Sequence, residues 1–452
     1  MPAPAPPPSE RDALIEALVR KFRQQLAEQL PDKDQTLDQI EEVAGRVGNT
    51  VSQDIQKHLT DKQTMKRPAE RQHCACGKEV RYKGHKPRQI VTCHGLLRLR
   101  RAIYYCQACQ KNTVPSDLTL GLDAGSYTTP IRVWAAHLAA LLPFAQAAHT
   151  LETLTRVSLS AATLERIALA VGNALRQTQQ AQVQSHQTGD LAEPAGKARR
   201  RLYIGMDGVF VPLREEWTKD GSKGALSCRY GECKVGVVYE PRVGKSGDDC
   251  ILTRTYTATM GNAEAFGTMI AALAHQEGHH RCRDVVVLAD GAAWIWQIAA
   301  KQFNGATQIV DYFHACQHLS SVAEARYGAG NAEGKAWHEA CCEDLLQDRL
   351  ANVLKEIKEW QPRSEVKRAL RRTEYGYFVS NTDRMRYKSF RERGYHIGSG
   401  VVEAGCKQMA TQRMKLAGMH WRAASAEAVL TLRASQLSTQ VTDLRPYCGM
   451  LS

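Results

Sequence analysis

The chain has 452 residues, 60 Lys+Arg against 47 Asp+Glu, a formal charge of +13 and 43% hydrophobic residues. That length calls for several domains, and the ordinary apolar content excludes wholesale disorder, collagen-like repeats and a coiled-coil rod. The most apolar segment, 131–148, is broken by Arg132, His137, Pro143 and Gln146, too short a run for the roughly 18 residues of a membrane span.

The N-terminal MPAPAPPPSE has neither the basic start nor the apolar run of a signal peptide, so a cytoplasmic location is expected. After this Pro/Ala lead, Ser9 is a candidate cap for a helix in which Leu14, Leu18, Phe22 and Leu26 recur at helical spacing. A second stretch carries Leu37, Ile40, Ala44, Val47 and Val51 in a heptad-like seam, which predicts a helical hairpin or a dimerising pair over 1–65.

Residues 66–125 change character. Between 66 and 110 eleven Lys/Arg face two acids, and short alternating runs such as Leu97-Arg98-Leu99-Arg100 predict small strands. Cys106-Gln-Ala-Cys109 has the spacing with which two thiolates share one tetrahedral ion, and Cys74-Ala-Cys76-Gly77 supplies a partner knuckle. His73 stands three residues before Cys76 and is an alternative to Cys74; thiolate-rich structural sites favour Cys74. Cys93 is expected mid-strand as a small buried hydrophobe. The reading is a zinc ribbon holding one structural Zn²⁺ on Cys74, Cys76, Cys106 and Cys109.

The segment 126–177 is helical from residue 130, with a break at 155–159 and Ser160 as the cap of the next helix, a pattern that fits a helix-turn-helix. A Gln-rich stretch follows, and 178–199 is expected to be a linker.

The period then changes from helical to two-residue. Strands are predicted at 202–213, 233–239, 251–259, 285–289 and 308–312, with helices at 263–274 and 292–303, in the order β-β-β-α-β-α-β. This is an α/β domain with a mixed sheet, within a multidomain α+β chain. Asp207 stands at position seven of the first strand, Arg201-Leu-Tyr-Ile-Gly-Met-Asp207-Gly208, and the fourth, Val285-Val-Val-Leu-Ala-Asp290-Gly291, ends in Asp-Gly. A carboxylate in an apolar strand is costly unless paired, and two on adjacent strands can converge on a divalent cation. Each Asp-Gly alone is equally what a turning strand needs.

Helical, charge-dense sequence runs from 314 to 392, and a last helix is expected to begin near Ser399 and run toward Leu416. Its buried stripe would be Val402, Cys406 and Met409, with Ser399 as cap and Glu403 at the stripe's edge. Glu339, Glu343 and Glu374 are alternative third acids, but none follows a Gly-Ser-Gly start. Between 349 and 422 seventeen Lys/Arg face seven acids, a second basic concentration suited to a polyanion.

These motifs together resemble a DDE transposase with a ribonuclease H-like core. The run Ala289-Asp290-Gly291-Ala292-Ala293-Trp294-Ile295-Trp296, with Val310-Asp311-Tyr312-Phe313-His314, is similar to bacterial insertion-sequence transposases related to the Mutator group. The resemblance implies a core over 200–320, a helical insertion at 321–395, a returning helix at 396–435 and a tail at 436–452. It implies Asp207, Asp290 and Glu403 as catalytic ligands of two Mg²⁺ or Mn²⁺ ions, with Asp311, His314, His318 and Trp296 in support. His314 and His318, four residues apart, read equally as a metal pair or as hydrogen-bonding groups, and Trp294 and Trp296 as base-stacking or core residues. The expected activity is metal-dependent strand cleavage and strand transfer on insertion-sequence ends and target DNA. The enzyme is expected to act as a homodimer or higher oligomer near the nucleoid. The alternative is a zinc-ribbon, helix-turn-helix DNA-binding regulator with an inactive core, which the presence of all three acids disfavours.

Overall fold

The computed structural model describes residues 10–29, 34–65, 72–122, 125–194, 198–214, 228–243 and 249–449. Ser9, the Pro/Ala lead and the basic residues Lys66, Arg67 and Arg71 lie outside them. The chain forms two compact units, Met1–Val171 with Leu444–Ser452, and Gly172–Asp443.

The first unit opens with helices α1 (Glu10–Gln29) and α2 (Leu37–Met65), which pack together and are bridged by Lys21 Nζ to Asp54 at 2.5 Å. The heptad seam is only partly buried. Val43 and Val47 are covered, whereas Leu37 is 77% and Ile40 49% exposed, because α2 lies against a sheet rather than along a partner helix's seam. That sheet is β1 (Arg81–Thr92), β2 (Gly95–Cys106) and β3 (Lys111–Thr113), all antiparallel. Cys93 is not mid-strand. It occupies the two-residue turn between β1 and β2, half-buried, where Gly95 at φ +107 closes the hairpin.

Helices α3 (Pro115–Thr119), α4 (Thr129–Leu141), α5 (Phe144–Thr155) and α6 (Ala161–Thr188) follow. A break at Leu142-Pro143, not anticipated from periodicity, reflects the missing proline N–H. The α5–α6 turn passes through Arg156 in the left-handed region, and Ser160 Oγ accepts from the Thr163 N–H at 3.2 Å, as a cap should. Helix α6 continues well into the segment expected to be a linker. Gln and Ala are good helix formers, and neither Gly nor Pro interrupts them before Gly189 and Pro194.

The second unit is built on β4 (Arg201–Arg214), β5 (Cys228–Val243), β6 (Asp249–Thr259), β7 (Asp284–Ala289) and β8 (Thr307–Val310), in the spatial order β6-β5-β4-β7-β8. The first three form an antiparallel meander; β7 and β8 add in parallel. Parallel strands need cover on both faces, and residues 286–289 are accordingly all fully buried. The crossovers are α7 (Ala263–Gln276) and α8 (Ala293–Gln302).

Five helices then replace strands: α9 (Tyr312–Tyr327), α10 (Ala332–Leu346), α11 (Leu350–Glu359), α12 (Glu365–Ser380) and α13 (Tyr387–Glu392). The chain returns through α14 (Gly400–Cys406), a π-helical turn at Lys407–Thr411 and α15 (Gln412–Met414). The helix near Ser399 is not the last. A further one, α16 (Ala423–Leu437), packs on β6. Gly172 of α6 lets α16 approach so closely that a Cβ would stand 2.5 Å from the Ala428 carbonyl oxygen.

Candidate metal centre and acidic cluster

Two turns hold the four ribbon cysteines. In the first, Cys74 N–H donates to the Lys78 carbonyl and Gly77 N–H to the Cys74 carbonyl, both at 2.8 Å, with Gly77 at φ +78. In the second, the Cys109 N–H points at Cys106 Sγ, 3.5 Å away. The hairpin thereby brings Cys74 Sγ within 3.9 Å of Cys109 Sγ, and Cys76 Sγ within 3.7 Å of Cys106 Sγ. Thiolates about 2.3 Å from a tetrahedral zinc would stand about 3.8 Å apart, so this Cys₄ group could bind Zn²⁺. The four sulfurs lie within 4.8 Å of one another, while His73 engages Glu79 in a backbone bridge. Without metal the thiols share protons. Cys76 is pulled down to about 7, chiefly by hydrogen bonding from Cys109, whose own thiol is pushed up to about 12 by the same contact.

Not all of the basic excess of this region is free to meet a polyanion. Arg88 Nη1 and Arg101 Nη1 both grip Asp117 Oδ2, the first at 2.9 Å, and Arg101 is buried.

The acidic cluster involves the middle of β4, the end of β7 and helix α14. Parallel pairing sets Met206 opposite Ala289, so Asp207 and Asp290 follow at adjacent positions where β4 and β7 diverge. Helix α14 crosses the same region. Gly205 of β4 is the reason it can: a Cβ there would lie 3.0 Å from both Val402 Cβ and Val237 Cγ1. The stripe Val402, Cys406 and Met409 is buried and Glu403 is exposed at its edge. Ser399 does not cap through its side chain. Its Oγ instead donates to Glu403 Oε1 at 2.9 Å, holding that carboxylate in one rotamer.

Burial raises the Asp207 pKa first. The negative charges of Asp290 and Glu403 raise it further, against hydrogen bonds from the Cys406 thiol and the Gly208 N–H (2.6 Å). Asp207 therefore senses both other acids. The three are nevertheless not among the groups whose ligand atoms all converge within 4.8 Å in the described residues, so the cluster is open where the Cys₄ group is closed. An all-carboxylate donor set suits Mg²⁺ or Mn²⁺, and like charges gathered at one half-buried place are what a divalent cation would relieve.

Asp311 is fully buried and fixes this geometry from behind. Its Oδ1 accepts from the His314 N–H at 2.7 Å, capping α9, and its Oδ2 accepts from the Ser399 N–H at the start of α14. His314 and His318 do share a face, with ring centroids 5.0 Å apart. His318 Nδ1 is however engaged by Glu374 Oε2 at 2.6 Å, and its ring stacks on Tyr377 at 3.8 Å. That contact also occupies Glu374. Glu339 pairs with Lys335, and Glu343 accepts from Gln347. Trp296 is buried beneath the Arg384 guanidinium, 4.6 Å from its ring, in core packing rather than open to a base.

A profile described as "Uncharacterised protein family (UPF0236)" matches residues 39–445. The chain belongs to the UPF0236 family. The matched span of this UPF0236 chain contains both clusters. It is similar to the "UPF0236 protein in vanSb 3'region" of Streptococcus gallolyticus, 24% identical over 340 residues, covering 72% of this chain and 68% of that one. Among solved structures, the "Drosophila P element transposase strand transfer complex" aligns over 71% of this chain and 81% of that chain, with 12% identity and a TM-score of 0.25. A TM-score that low does not establish a shared fold. No helix in the described residues is long and apolar enough to cross a membrane.

Three residues of the acidic cluster of this UPF0236 member escaped the sequence reading. Cys406 was visible only as part of an apolar stripe, yet its thiol donates to Asp207. Tyr377, on α12, donates from its hydroxyl to the Asp290 carbonyl at 2.9 Å and lies over Gly291, whose φ of +106 exposes the backbone to the ring. Glu232, on β5, reaches over Gly208, where a Cβ would lie 2.5 Å from its Oε1, and is held by Lys234 Nζ at 2.7 Å. None of the three carries a spacing signal.

Proposed function

We propose that this chain is a DNA transposase of the DDE kind, which binds the terminal repeats of its insertion sequence and performs metal-dependent strand cleavage and strand transfer. The observation that carries this reading is the placement of three acids on one side of the sheet: Asp207 within β4, Asp290 just past the end of the parallel-paired β7, and Glu403 on a helix seated over Gly205, with Asp290 and Glu403 both near enough to raise the Asp207 pKa. The spatial order β6-β5-β4-β7-β8, an antiparallel meander extended by two parallel strands, supports a ribonuclease H-like core.

In this reading Asp207, Asp290 and Glu403 hold two Mg²⁺ or Mn²⁺ ions. Bound there, the ions would supply activation of a water or 3′-hydroxyl and stabilisation of the leaving oxygen. The chain's own groups set the carboxylates. Ser399 orients Glu403, Gly208 N–H and the Cys406 thiol orient Asp207, and Ala292 N–H donates to Asp290 Oδ1 at 3.0 Å. Asp311 is a positioning residue, joining the start of α9 to the start of α14.

DNA is the partner that the two basic regions suit, at element ends and at the target, with two or more copies of the chain holding two ends. A Cys₄ zinc ribbon and a helix-turn-helix formed by α5 and α6 would recognise the ends, with the start of α6 entering the major groove. Affinity should then fall steeply with salt, as counterions released from phosphates return. Such a protein works in the cytoplasm, on the nucleoid.

The test is nicking of a duplex carrying the element's own ends, with Mg²⁺ or Mn²⁺ present and absent. Asp207→Ala, Asp290→Ala and Glu403→Ala should each abolish cleavage, by about a thousandfold or more, and leave end binding nearly intact. Specific binding without metal-dependent cleavage by the unaltered chain would replace the enzyme with a DNA-binding regulator.

A further inference from the structure

At the opposite end of β7 from Asp290, three side chains converge at the end of α7. His275 lies in the last turn of that helix and His280 in the 3₁₀ turn at His279–Arg281, which follows Gly278 in the left-handed region. Glu193 comes from the segment between α6 and β4. His280 Nε2 is 2.9 Å from Glu193 Oε2, and His275 Nε2 is 3.9 Å from Glu193 Oε1. The two imidazoles stack at 4.4 Å, and one ligand atom from each of the three residues falls within 4.8 Å of the others. His186, in the last turn of α6, packs its ring 5.2 Å from that of His275 and limits its rotation.

Two features distinguish this from a surface ion pair. His275 Nε2 is a buried side-chain nitrogen that makes no hydrogen bond; it looks toward the carboxylate across a gap too long for one. A buried nitrogen of this kind costs free energy unless something accepts its lone pair or its proton. Separately, the segment carrying Glu193 is anchored on its other side. Arg199 binds Glu277 Oε2 at 2.7 Å and Glu240 Oε2 at 3.2 Å, so Arg199 is fixed against the same end of α7.

We propose that Glu193, His275 and His280 form a second metal site, for a borderline transition-metal dication of which Zn²⁺ is the natural candidate. Two imidazoles and one carboxylate, with further positions open to water, form a donor set that Zn²⁺ accepts and that Mg²⁺ and Ca²⁺ do not favour. Ligands about 2.0–2.2 Å from one ion stand about 3–3.5 Å apart. Closing the His275–Glu193 gap to that value needs only a small rotation of the Glu193 side chain, which is 68% exposed. The ion would clip the α6–β4 segment to the end of α7 and the Gly278 turn. It would act as a staple in the second unit, independent of the cysteines and of the acids.

The test is zinc stoichiometry of the full chain without a histidine tag, dialysed against buffered zinc with excess Mg²⁺ to occupy carboxylate sites. The expected result is one equivalent of zinc beyond that held by the cysteines. The His275→Ala/His280→Ala double variant should lose it, and Glu193→Gln should bind it at least about tenfold more weakly. Glu193→Gln changes an exposed residue, so it keeps the test decisive if the double variant misfolds. Loaded with Co²⁺, the site should add ligand-field absorption without thiolate-to-metal charge transfer, which separates it from the cysteine group. No additional equivalent in the unaltered chain, or an additional equivalent that both variants retain unchanged, would overturn the proposal.

Discussion

The cysteine group and the acidic cluster solve opposite problems. The four thiols lie on a single hairpin and its flanking turns, and the backbone alone brings their sulfurs to tetrahedral spacing. The three carboxylates come from β4, the end of β7 and α14, without their oxygens all converging, and the charges of two of them act on Asp207. A site closed by local geometry stabilises its own unit when the metal arrives. A site assembled across the fold has to be held open by its scaffold, here Asp311, Gly205 and Cys406. Damage to the first should therefore appear as lost structure, and damage to the second as lost chemistry.

The largest effect is expected at Cys106, which is fully buried in the cluster of Val80, Ala102 and Tyr104. Cys106→Ser should release the metal and, since a structural zinc contributes on the order of 10 kcal/mol in small domains, strip amide-exchange protection from β1 and β2. Measured zinc content and hydrogen exchange would check both; protection persisting without metal would erase the contrast. Next is Asp311→Ala. It orphans two backbone donors, one of them the cap of α9, and should lower stability in urea by about 2–4 kcal/mol and, in the proposed reaction, reduce cleavage through a displaced Glu403. Gly205→Ala should cost less, about 1–3 kcal/mol, by overpacking against Val402 and Val237. Its cleavage should fall more than its melting temperature suggests, because α14 moves.

The smallest effect is a pH dependence. Asp207 has a raised pKa in the folded chain, so between the ordinary aspartate value and the raised one the folded state binds more protons than the unfolded state. Stability of the metal-free protein should then decline as pH rises through that window and be recovered as pH falls. Asp207→Asn should flatten the profile, and saturating Mg²⁺ should do the same; a profile unmoved by Asp207→Asn would show that folding does not raise the Asp207 pKa.

Much of this was legible in the sequence where one residue type recurs at a fixed spacing or interrupts or closes an apolar run. The paired cysteines, the acid inside the apolar run at Asp207 and the Asp-Gly that closes the run at Asp290 were of that kind. The β-β-β-α-β-α-β order was readable because period two and period 3.6 are distinct signals. The helix expected over 396–435 proved to be divided, with α16 as a separate helix, because the polar residues Glu427, Thr431, Arg433 and Ser435 are buried like the rest of 426–435, so no exposed face marks its period. The continuation of α6 was missed because a Gln-rich composition suits a linker and a helix alike. The Glu193, His275 and His280 group had no signal, since its ligands sit on separate elements and meet only in the fold.

The double attachment of Asp311 has an evolutionary corollary. The carboxylate that caps α9 also holds the Ser399 N–H, so the helices α10 to α13 depart and return at one buried point. Once the two ends of a segment are clasped, its length hardly matters: doubling a flexible loop adds only about 0.6 kcal/mol of closure entropy. Length can therefore vary within the stretch wherever α12 stays in place, since Tyr377 holds the Asp290 carbonyl from inside it, while the clasp stays fixed.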